Sequence, residues 1–280
     1  MLTRVIFNQK GGVGKSSIAV NLAAMSAHQG LRTLLIDLDP QCNATQYIIG
    51  DAATDIHPAH ITEPNIENFF SQTLQATSSP MPMMFAFPFS GMTGGRNQGL
   101  EHCIHTTRFD NLSVIPASPM LADILQPLES KHKIYKLKDG LNLLSQQFDR
   151  VYIDTPPAFN FFTLSALIAA DRVIVPFDCD IFSKRALQTL VQNILETRQD
   201  HNSDLLIEGI IVNQFDPRAN LPKEVVQTLV NEGYPVYDTK LSPSIIMKQS
   251  HHQSLPLIYL DAKHKLTQQY AALYQEIESR

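Results

Sequence analysis

The 280-residue sequence has few cysteines and no excess of positive charge, and each absence excludes a class of protein. Its three cysteines, Cys42, Cys103 and Cys179, lie far apart, which excludes a disulfide scaffold and any CxxC metal or redox motif. Lysine and arginine number 22 against 27 aspartate and glutamate residues. The resulting net charge of −5 excludes a uniformly basic nucleic-acid-binding surface, although not a local basic patch.

Targeting and membrane signals are also lacking. The N-terminus has no basic segment followed by an apolar one, so it does not resemble a signal peptide. No run of about 18 apolar residues occurs, which argues against a transmembrane helix. Together with the dispersed cysteines, which suit a reducing compartment, these absences predict a cytoplasmic protein.

What the sequence does contain is a regular alternation of short apolar runs with helical patterns. Such alternation predicts βαβ units, and continuous apolar runs are typical of strands buried on both faces. The expected fold is a single α/β domain over 1–280, with a mainly parallel sheet flanked by helices on both faces. The predicted strands are 3–8, 34–37, 112–116, 151–154, 173–176, 206–213 and 236–237. The first predicted helix runs through Ile18, Leu22 and Met25 to a cap at Gly30. Residues 119–147 are predicted to be mostly helical, and further helices are predicted over 163–170, 183–198, 221–232 and 263–278.

One segment interrupts this alternation. Residues 76–99 contain three prolines and four glycines, which predicts an inserted loop with little regular structure. A surface loop is the simpler interpretation. The density of methionine and phenylalanine favours a second interpretation, in which the loop docks a partner.

The strongest motif lies between the first predicted strand and the first predicted helix. Its glycines permit a tight turn whose N–H groups bind an anion, and the helix N-terminus adds its dipole. Lys15 is suited to bind the β- and γ-phosphates, and Ser16 to bind Mg²⁺. Gln9 stands where the common pattern has its first glycine, and Lys10 adds a second lysine that could reach phosphates across a subunit interface. The motif reads Lys10-Gly11-Gly12-Val13-Gly14-Lys15-Ser16-Ser17.

The motifs resemble, in order and along nearly the whole chain, those of the ParA/MinD family of dimerising ATPases. Residues 10–17 resemble the family's deviant Walker A motif, and 35–45 resemble its D-x-D-P-Q-G-N-A-T segment. Residues 151–157 resemble its Walker B and switch region. Residues 211–218 resemble the base-binding strand end, and 255–261 the C-terminal G-K-P-I-x-x-Y-D-P stretch. The chain is most similar to ParA proteins of the Soj type, without an N-terminal helix-turn-helix domain.

The resemblance implies ATP and Mg²⁺ as ligands and gives the site residues roles. Lys10 is implied to contact the partner's nucleotide and neutralise charge in the transition state, while Lys15 holds phosphates in its own subunit. Asp39 is implied to orient the attacking water. Asp39 and Asp154 are both implied to reach Mg²⁺ through water, and Asn213 is implied to read the adenine edge. Taken alone, these last three could be turn or strand-end residues. The implied nucleotide-binding set is Lys10, Gly11, Gly12, Val13, Gly14, Lys15, Ser16, Ser17 and Asn213.

The sequence departs from the family pattern at a few positions. Cys42 stands where the family usually has glycine, which could stiffen the first switch. Ser16 and Ser17 replace the usual threonines and keep their hydroxyl groups, and Gln249 replaces a usual glutamate. None of these changes removes a catalytic group.

Three function classes are compatible with these motifs. The first is a ParA-like ATPase whose ATP-bound homodimer binds DNA non-specifically and positions a plasmid, chromosome locus or protein complex. In that class a ParB-like or adaptor protein stimulates hydrolysis. The second is a MinD-like membrane-associated regulator. The third is a metabolic or iron–sulfur enzyme, or an accessory ATPase of another assembly, on the same fold.

The C-terminal helix favours the first class. Its apolar stripe faces away from glutamine and glutamate, whereas a membrane-surface helix would carry lysine and arginine there. The stripe is therefore interpreted as a core-packing face, formed by Leu266, Tyr270, Leu273, Tyr274 and Ile277. The absence of paired cysteines disfavours a bridging iron–sulfur cluster. We expect a cytoplasmic, nucleoid-associated protein with no membrane partner.

DNA-contacting residues are harder to identify. Arg218 aligns with a DNA-contacting arginine of the family, but a second such position holds Ile246, for which Lys248 could substitute. Lys184 and Arg185, which open a predicted helix, are further candidates. The sequence also contains a basic cluster, formed by Lys131, Lys133, Lys136 and Lys138. This cluster is either a DNA-binding patch or a solvated helix face. Contact by so few cations predicts weak, salt-dependent and dimer-dependent binding.

Overall fold

A computed structural model describes residues 1–50, 63–75, 99–131, 133–179 and 183–280. The predicted inserted loop, apart from Gly99, lies outside these residues. The strands are β1 (Leu2–Ile6), β2 (Thr33–Asp37), β3 (His105–Thr106), β4 (Leu112–Ile115), β5 (Arg150–Asp154), β6 (Arg172–Asp178) and β7 (Leu206–Asn213). The helices are α1 (Lys15–His28), α2 (Asn43–Ile49), α3 (Ile66–Gln75), α4 (Leu121–Lys131), α5 (Lys136–Leu143), α6 (Phe161–Ala169), α7 (Ser183–Asp200), α8 (Asn220–Asn231), α9 (Ile245–His252), α10 (Leu257–Leu260) and α11 (Lys265–Ser279), with a 3₁₀ turn at Leu100–Cys103.

Among the described residues, seven strands form one sheet in the order β3-β4-β2-β5-β1-β6-β7. All neighbouring strands run parallel except β3, which pairs antiparallel with β4. Asp154 at the end of β5 lies in register with Ile6 on one side and Asp37 on the other. The α/β class and the mainly parallel sheet are therefore confirmed, and the carboxyl ends of β1, β2 and β5 meet at one edge.

Helices cover both faces of the sheet, and each face has its own apolar core. Helices α3 to α8 contribute to one core, and α1, α2 and α9 to α11 contribute to the other. Because side chains alternate along a strand, Val5 belongs to the first core and Ile6 to the second. Helix α1 ends as the sequence predicts, with Gly30 in the left-handed conformation (φ 86°) directly after its cap.

The C-terminal helix α11 packs into the second core. Its predicted stripe is buried, with no member more than 3% exposed: Leu266, Tyr270, Leu273, Tyr274 and Ile277. Ion pairs fix its end to the sheet, since Glu278 lies 2.7 Å from the Arg4 guanidinium and 2.5 Å from that of Arg150. The core-packing interpretation is confirmed. Within the described parts of the chain, no helix has both the length and the apolarity to cross a membrane.

The expected strand at 236–237 is wrong. Val236 forms only an isolated parallel bridge with Ile210. The N–H groups of Asp238 and Thr239 instead donate to the carboxylate of Glu276 on α11, at 2.7 and 2.9 Å. Two backbone hydrogen bonds still join the segment to β7, from the Ile210 N–H to the Pro235 carbonyl at 2.8 Å and from the Tyr237 N–H to the Ile210 carbonyl at 3.0 Å, so the pairing is too short to form a strand.

Candidate functional site

The loop between β1 and α1 turns at two glycines in the left-handed backbone region. Gly12 has φ 78° and Gly14 has φ 91°, values that glycine adopts without strain. A Cβ at Gly14 would lie 2.5 Å from Nδ2 of Asn213, so no larger residue fits. That Nδ2 donates to the carbonyl of Val13, which is fully buried, at 2.9 Å. The end of β7 thus holds the loop in the compact form that an anion site requires.

Lys15, the first residue of α1, points into the site. It is 6% exposed, and its Nζ donates to the carbonyl of Lys10 at 3.0 Å. Burial lowers the pKa of Lys15, and the nearby carboxyl groups of Asp154 and Asp39 oppose that shift. The site therefore places one cation opposite two acidic side chains.

Three aspartates cluster where β2 and β5 end. Asp37 and Asp154 are fully buried, and Asp39 is 6% exposed. Asp37 accepts hydrogen bonds from the N–H and hydroxyl of Thr45, both at 2.8 Å, and from the N–H of Asp39 at 3.0 Å. It anchors the segment that leads from β2 into α2. Sequence reasoning did not give Asp37 a role, although it is the first residue of the D-x-D motif.

Asp154 differs because neither of its carboxylate oxygens has a hydrogen-bond partner among the described residues. Burial raises the pKa of Asp154 well above its ordinary value, and the charge on Asp37 adds to the shift. The hydroxyl of Ser16 lies close enough to oppose this rise, but it does not meet hydrogen-bond geometry. A buried carboxylate without a partner is costly unless it is protonated or faces a cation.

This arrangement fits Mg²⁺. Magnesium takes oxygen ligands, keeps several waters and is usually held by one or two carboxylates together with substrate phosphates. Across the part of the chain that the structure describes, no three His, Cys, Asp or Glu side chains could hold a metal by themselves. The residues suited to a phosphate-bound magnesium are Ser16, Asp39 and Asp154.

Asp37→Asn is expected to flatten the pH dependence of stability of the nucleotide-free protein between about pH 4 and 6, at a cost that does not vary with pH, because its amide NH2 faces one of the N–H donors that Asp37 accepts. Burial raises the pKa of Asp37 to about 6, so in this range the folded state retains a proton that the unfolded chain releases. Stability therefore falls as pH rises, by roughly 2 kcal/mol, and the neutral amide avoids that loss. Thermal unfolding of the wild type and the variant between pH 4 and 8 measures this loss of stability. A difference in stability between the two proteins that does not vary with pH would contradict the raised pKa of Asp37.

Lys10 is held within its own subunit in this structure. Its Nζ lies 2.6 and 2.8 Å from the two carboxylate oxygens of Asp178, the last residue of β6. About a third of the Lys10 side chain is exposed (32%). The sequence did not predict Asp178 as a partner of Lys10.

The segment after β2 contains a strained residue. Cys42, directly before α2, has φ 56° and is fully buried. The left-handed region costs a residue with a Cβ about 1 kcal/mol, which explains why glycine suits this position. Asp39 stabilises the same turn by accepting the N–H of Gln41 at 2.9 Å. Of the other cysteines, Cys103 is buried and Cys179 is half-buried.

Two adjoining cavities open beside the glycine-rich loop, and four residues line both: Gly12, Gly14, Ser17 and His251. The first, of about 580 Å³, is lined among others by Gly11, Lys15, Ser16, Asp39, Tyr47 and Pro157. The second, of about 600 Å³, is lined among others by Asn213, Gln214, Ser242, Ile245, Lys248 and Tyr270. The structure thus brings five glycine-rich-loop residues besides Ser17, namely Gly11, Gly12, Gly14, Lys15 and Ser16, and also Asp39 to the first cavity, and Asn213 to the second. Lys10, Val13 and Asp154 line neither cavity.

Sequence reasoning missed Tyr47 and His251. Tyr47 follows the D-x-D segment closely and could have been found from that neighbourhood. No spacing signal indicates His251, because tertiary packing alone brings α9 to the loop.

The residues predicted to contact DNA lie on different elements. Arg218 is 90% exposed in the loop after β7, where it pairs with Asp216 at 3.1 Å. Lys248 is exposed but lines the second cavity, whereas Ile246 is buried. Arg185 is exposed on α7, and the side chain of Lys184 lies outside the described residues.

The basic cluster is partly structural. Lys131 donates to the carbonyl of Leu74 at 3.2 Å, and Lys136 donates to that of Phe69, both on α3. Burial lowers the pKa of Lys136 to about 8, and its ammonium lies 4.4 Å from the centroid of the Phe69 ring. These two lysines therefore hold α3, whereas Lys133 is exposed.

A parallel sheet with a glycine-rich loop between its first strand and first helix, and carboxylates at adjoining strand ends, defines a P-loop nucleoside triphosphatase. A family model described as an AAA domain matches residues 1–207. The chain is 31% identical to the chromosome partitioning protein ParA of Myxococcus xanthus, over 98% of this chain and 87% of that protein. The chain belongs to the ParA family of P-loop ATPases, which confirms the resemblance seen in its motifs.

Solved structures share the fold. Apo McdA from Cyanothece aligns over 99% of both chains with a TM-score of 0.78 and 20% identity. A cobyrinic acid a,c-diamide synthase from Mycobacterium smegmatis, with a bound ATP analogue and magnesium, aligns with a TM-score of 0.73 and 24% identity. That alignment covers 98% of this chain and 93% of the synthase. At these identities the likeness concerns the fold alone.

Proposed function

We propose that this chain is an ATP-dependent, dimerising ATPase that binds DNA without sequence preference in its ATP state. In this state it partitions or positions a cargo, which is a plasmid, a chromosome locus or a protein complex. Hydrolysis, stimulated by a ParB-like or adaptor protein, returns it to the monomer. The observation that carries the proposal is the pair of lysines on one loop, since Lys15 faces buried carboxylates while Lys10 is about a third exposed and pairs with Asp178.

Phosphate binding follows from the first cavity. The backbone N–H groups of residues 11–17 and the ammonium of Lys15 hold the phosphates, and Ser17 lies where the two cavities meet. Ser16 and, through water, Asp154 and Asp39 hold Mg²⁺, which neutralises charge on the phosphates. Asp39 orients the attacking water, and the base occupies the second cavity beside Asn213.

Dimerisation follows from the second lysine. Lys10 contacts the nucleotide of the partner subunit, so a triphosphate interacts with both subunits only in the dimer. ATP therefore shifts the population toward the dimer, and ADP does not. The Lys10–Asp178 ion pair competes with this contact and favours the monomer until ATP is bound.

Asp39→Ala is expected to trap an ATP-bound dimer, because the variant keeps the phosphate-binding groups but cannot orient the attacking water. Light scattering after gel filtration should give twice the monomer mass with ATP and Mg²⁺, and the monomer mass with ADP. Asp123→Ala, at an exposed position on α4, serves as the control and should behave as the wild type. A monomeric Asp39→Ala protein in saturating ATP would contradict the proposal.

DNA binding is tested at Arg218. The wild type should bind random-sequence duplex only with ATP, and Arg218→Glu should weaken this binding about tenfold and reduce its dependence on salt. Arg198→Glu makes the same charge change at an exposed position near the end of α7. If both variants weaken binding equally, Arg218 makes no specific contact.

A further inference from the structure

The boundary between the two cavities contains one titratable side chain. Three of its four residues, Gly12, Gly14 and Ser17, belong to the glycine-rich loop or the start of α1. The fourth is His251, which comes from α9, more than 230 residues further along the chain. If the phosphates occupy the first cavity and the nucleoside the second, the phosphate attached to the nucleoside must cross this boundary.

His251 is fixed in place by contacts on two sides. Its Nε2 lies 2.9 Å from the hydroxyl of Ser17, and its ring packs edge-to-face on Tyr47 with centroids 4.6 Å apart. The Tyr47 hydroxyl accepts from Nδ2 of Asn21 at 3.1 Å and also hydrogen-bonds to Ser250, next to His251 on α9. The imidazole is therefore positioned by α1 and α2 rather than held only by its own helix.

The ring is suited to an anionic ligand. Burial lowers the pKa of His251, which favours the neutral ring when no anion is near. A phosphate beside it would favour the imidazolium and form a charge-assisted hydrogen bond. Other ionisable groups near the boundary are Lys15 and Asp39 in the first cavity, Lys248 in the second, Tyr47 on α2 and His252 on α9. The test must separate His251 from these groups.

We propose that His251 binds the phosphate group that joins the nucleoside to the rest of the nucleotide. This assignment rests on the proposed function, because it requires an adenine nucleotide that spans both cavities. It gives α9 a direct contact with the ligand, and it adds to the glycine-rich loop a phosphate ligand that its motif does not contain.

Binding of ATP, ADP, AMP and adenosine by titration calorimetry tests the assignment, because AMP keeps only the phosphate in question. His251→Ala should weaken AMP, ADP and ATP to a similar extent, about tenfold as for one charge-assisted hydrogen bond, and leave adenosine unchanged. His102→Ala, at a half-exposed histidine of the 3₁₀ turn, is the control and should change nothing. His251→Gln, which can still bond to Ser17, provides a folded variant if the alanine variant does not fold.

The ring itself provides a second measurement. In the wild type, the NMR titration of His251 should move to a higher pKa with AMP and should not move with adenosine. Suppose that the wild type binds ATP. If both His251 variants then bind AMP as tightly as the wild type, or if AMP does not move the His251 titration, the assignment is overturned and the proposed function is not. A wild type that binds no adenine nucleotide overturns the proposed function and the assignment with it.

Discussion

Lys10→Ala should bind ATP within about twofold of the wild type and yet lose ATP hydrolysis by on the order of a thousandfold. In the proposed mechanism, Lys15 and the loop N–H groups remain to bind the phosphates, whereas the charge that Lys10 would place on the partner's nucleotide is lost. Stable ATP dimers should be lost as well. Steady-state phosphate release and nucleotide titration measure the two effects separately, and Lys133→Ala, at an exposed lysine, is the control.

A mixing experiment decides whether Lys10 acts across the interface. In a mixed dimer of Lys10→Ala and Asp39→Ala subunits, one site keeps its own Asp39 and receives Lys10 from the partner. Mixing two inactive proteins should therefore restore hydrolysis. If the mixture stays inactive although mixed dimers form, Lys10 acts on its own subunit's nucleotide and the proposed mechanism is wrong.

Asp154→Asn should have effects of opposite sign on stability and activity. Both carboxylate oxygens are buried and have no hydrogen-bond partner in the part of the chain that the structure describes, so the neutral amide should stabilise the nucleotide-free protein by about 2 kcal/mol at neutral pH. If Asp154 helps to hold Mg²⁺ as proposed, the same change removes a negative charge from that site and should lower Mg²⁺-dependent hydrolysis at least a hundredfold, as the loss of one preorganised electrostatic group does.

Thermal unfolding with and without Mg²⁺·ATP tests this pair of effects. The stability gain should shrink toward pH 4, since the folded wild type then carries a protonated Asp154 and no longer bears the cost of the buried charge. Asp200→Asn, at an exposed position at the end of α7, should change neither property. A lower melting temperature for Asp154→Asn would mean that Asp154 has a partner in solution.

The sheet and the glycine-rich loop could be predicted because their signals are local. Strands such as β6 are continuous apolar runs, and the loop's glycines, lysines and serines follow one another in sequence. The partner of Lys10 could not be predicted, because Asp178 lies 168 residues away and only the pairing of β1 with β6 brings the two together. His251 was missed for the same reason.

The misplaced strand has a tertiary cause. Residues 236–237 carry a strand-like apolar pair, but the N–H groups of the next two residues bind Glu276 on α11, a contact that sequence patterns do not contain. Whether Cys42 stiffens the first switch stays a prediction. Its left-handed backbone gives a physical basis for that expectation.

The distribution of thiols has a practical consequence. Cys42 is buried and strained, and burial raises the pKa of Cys103 to about 11, so both should react slowly with maleimides. Cys179 is half-buried and directly follows Asp178, the acceptor of Lys10. A fluorophore attached to the unmodified chain would therefore sit beside that ion pair, and a change in its emission on addition of ATP would report the proposed release of Lys10 without any engineered label site.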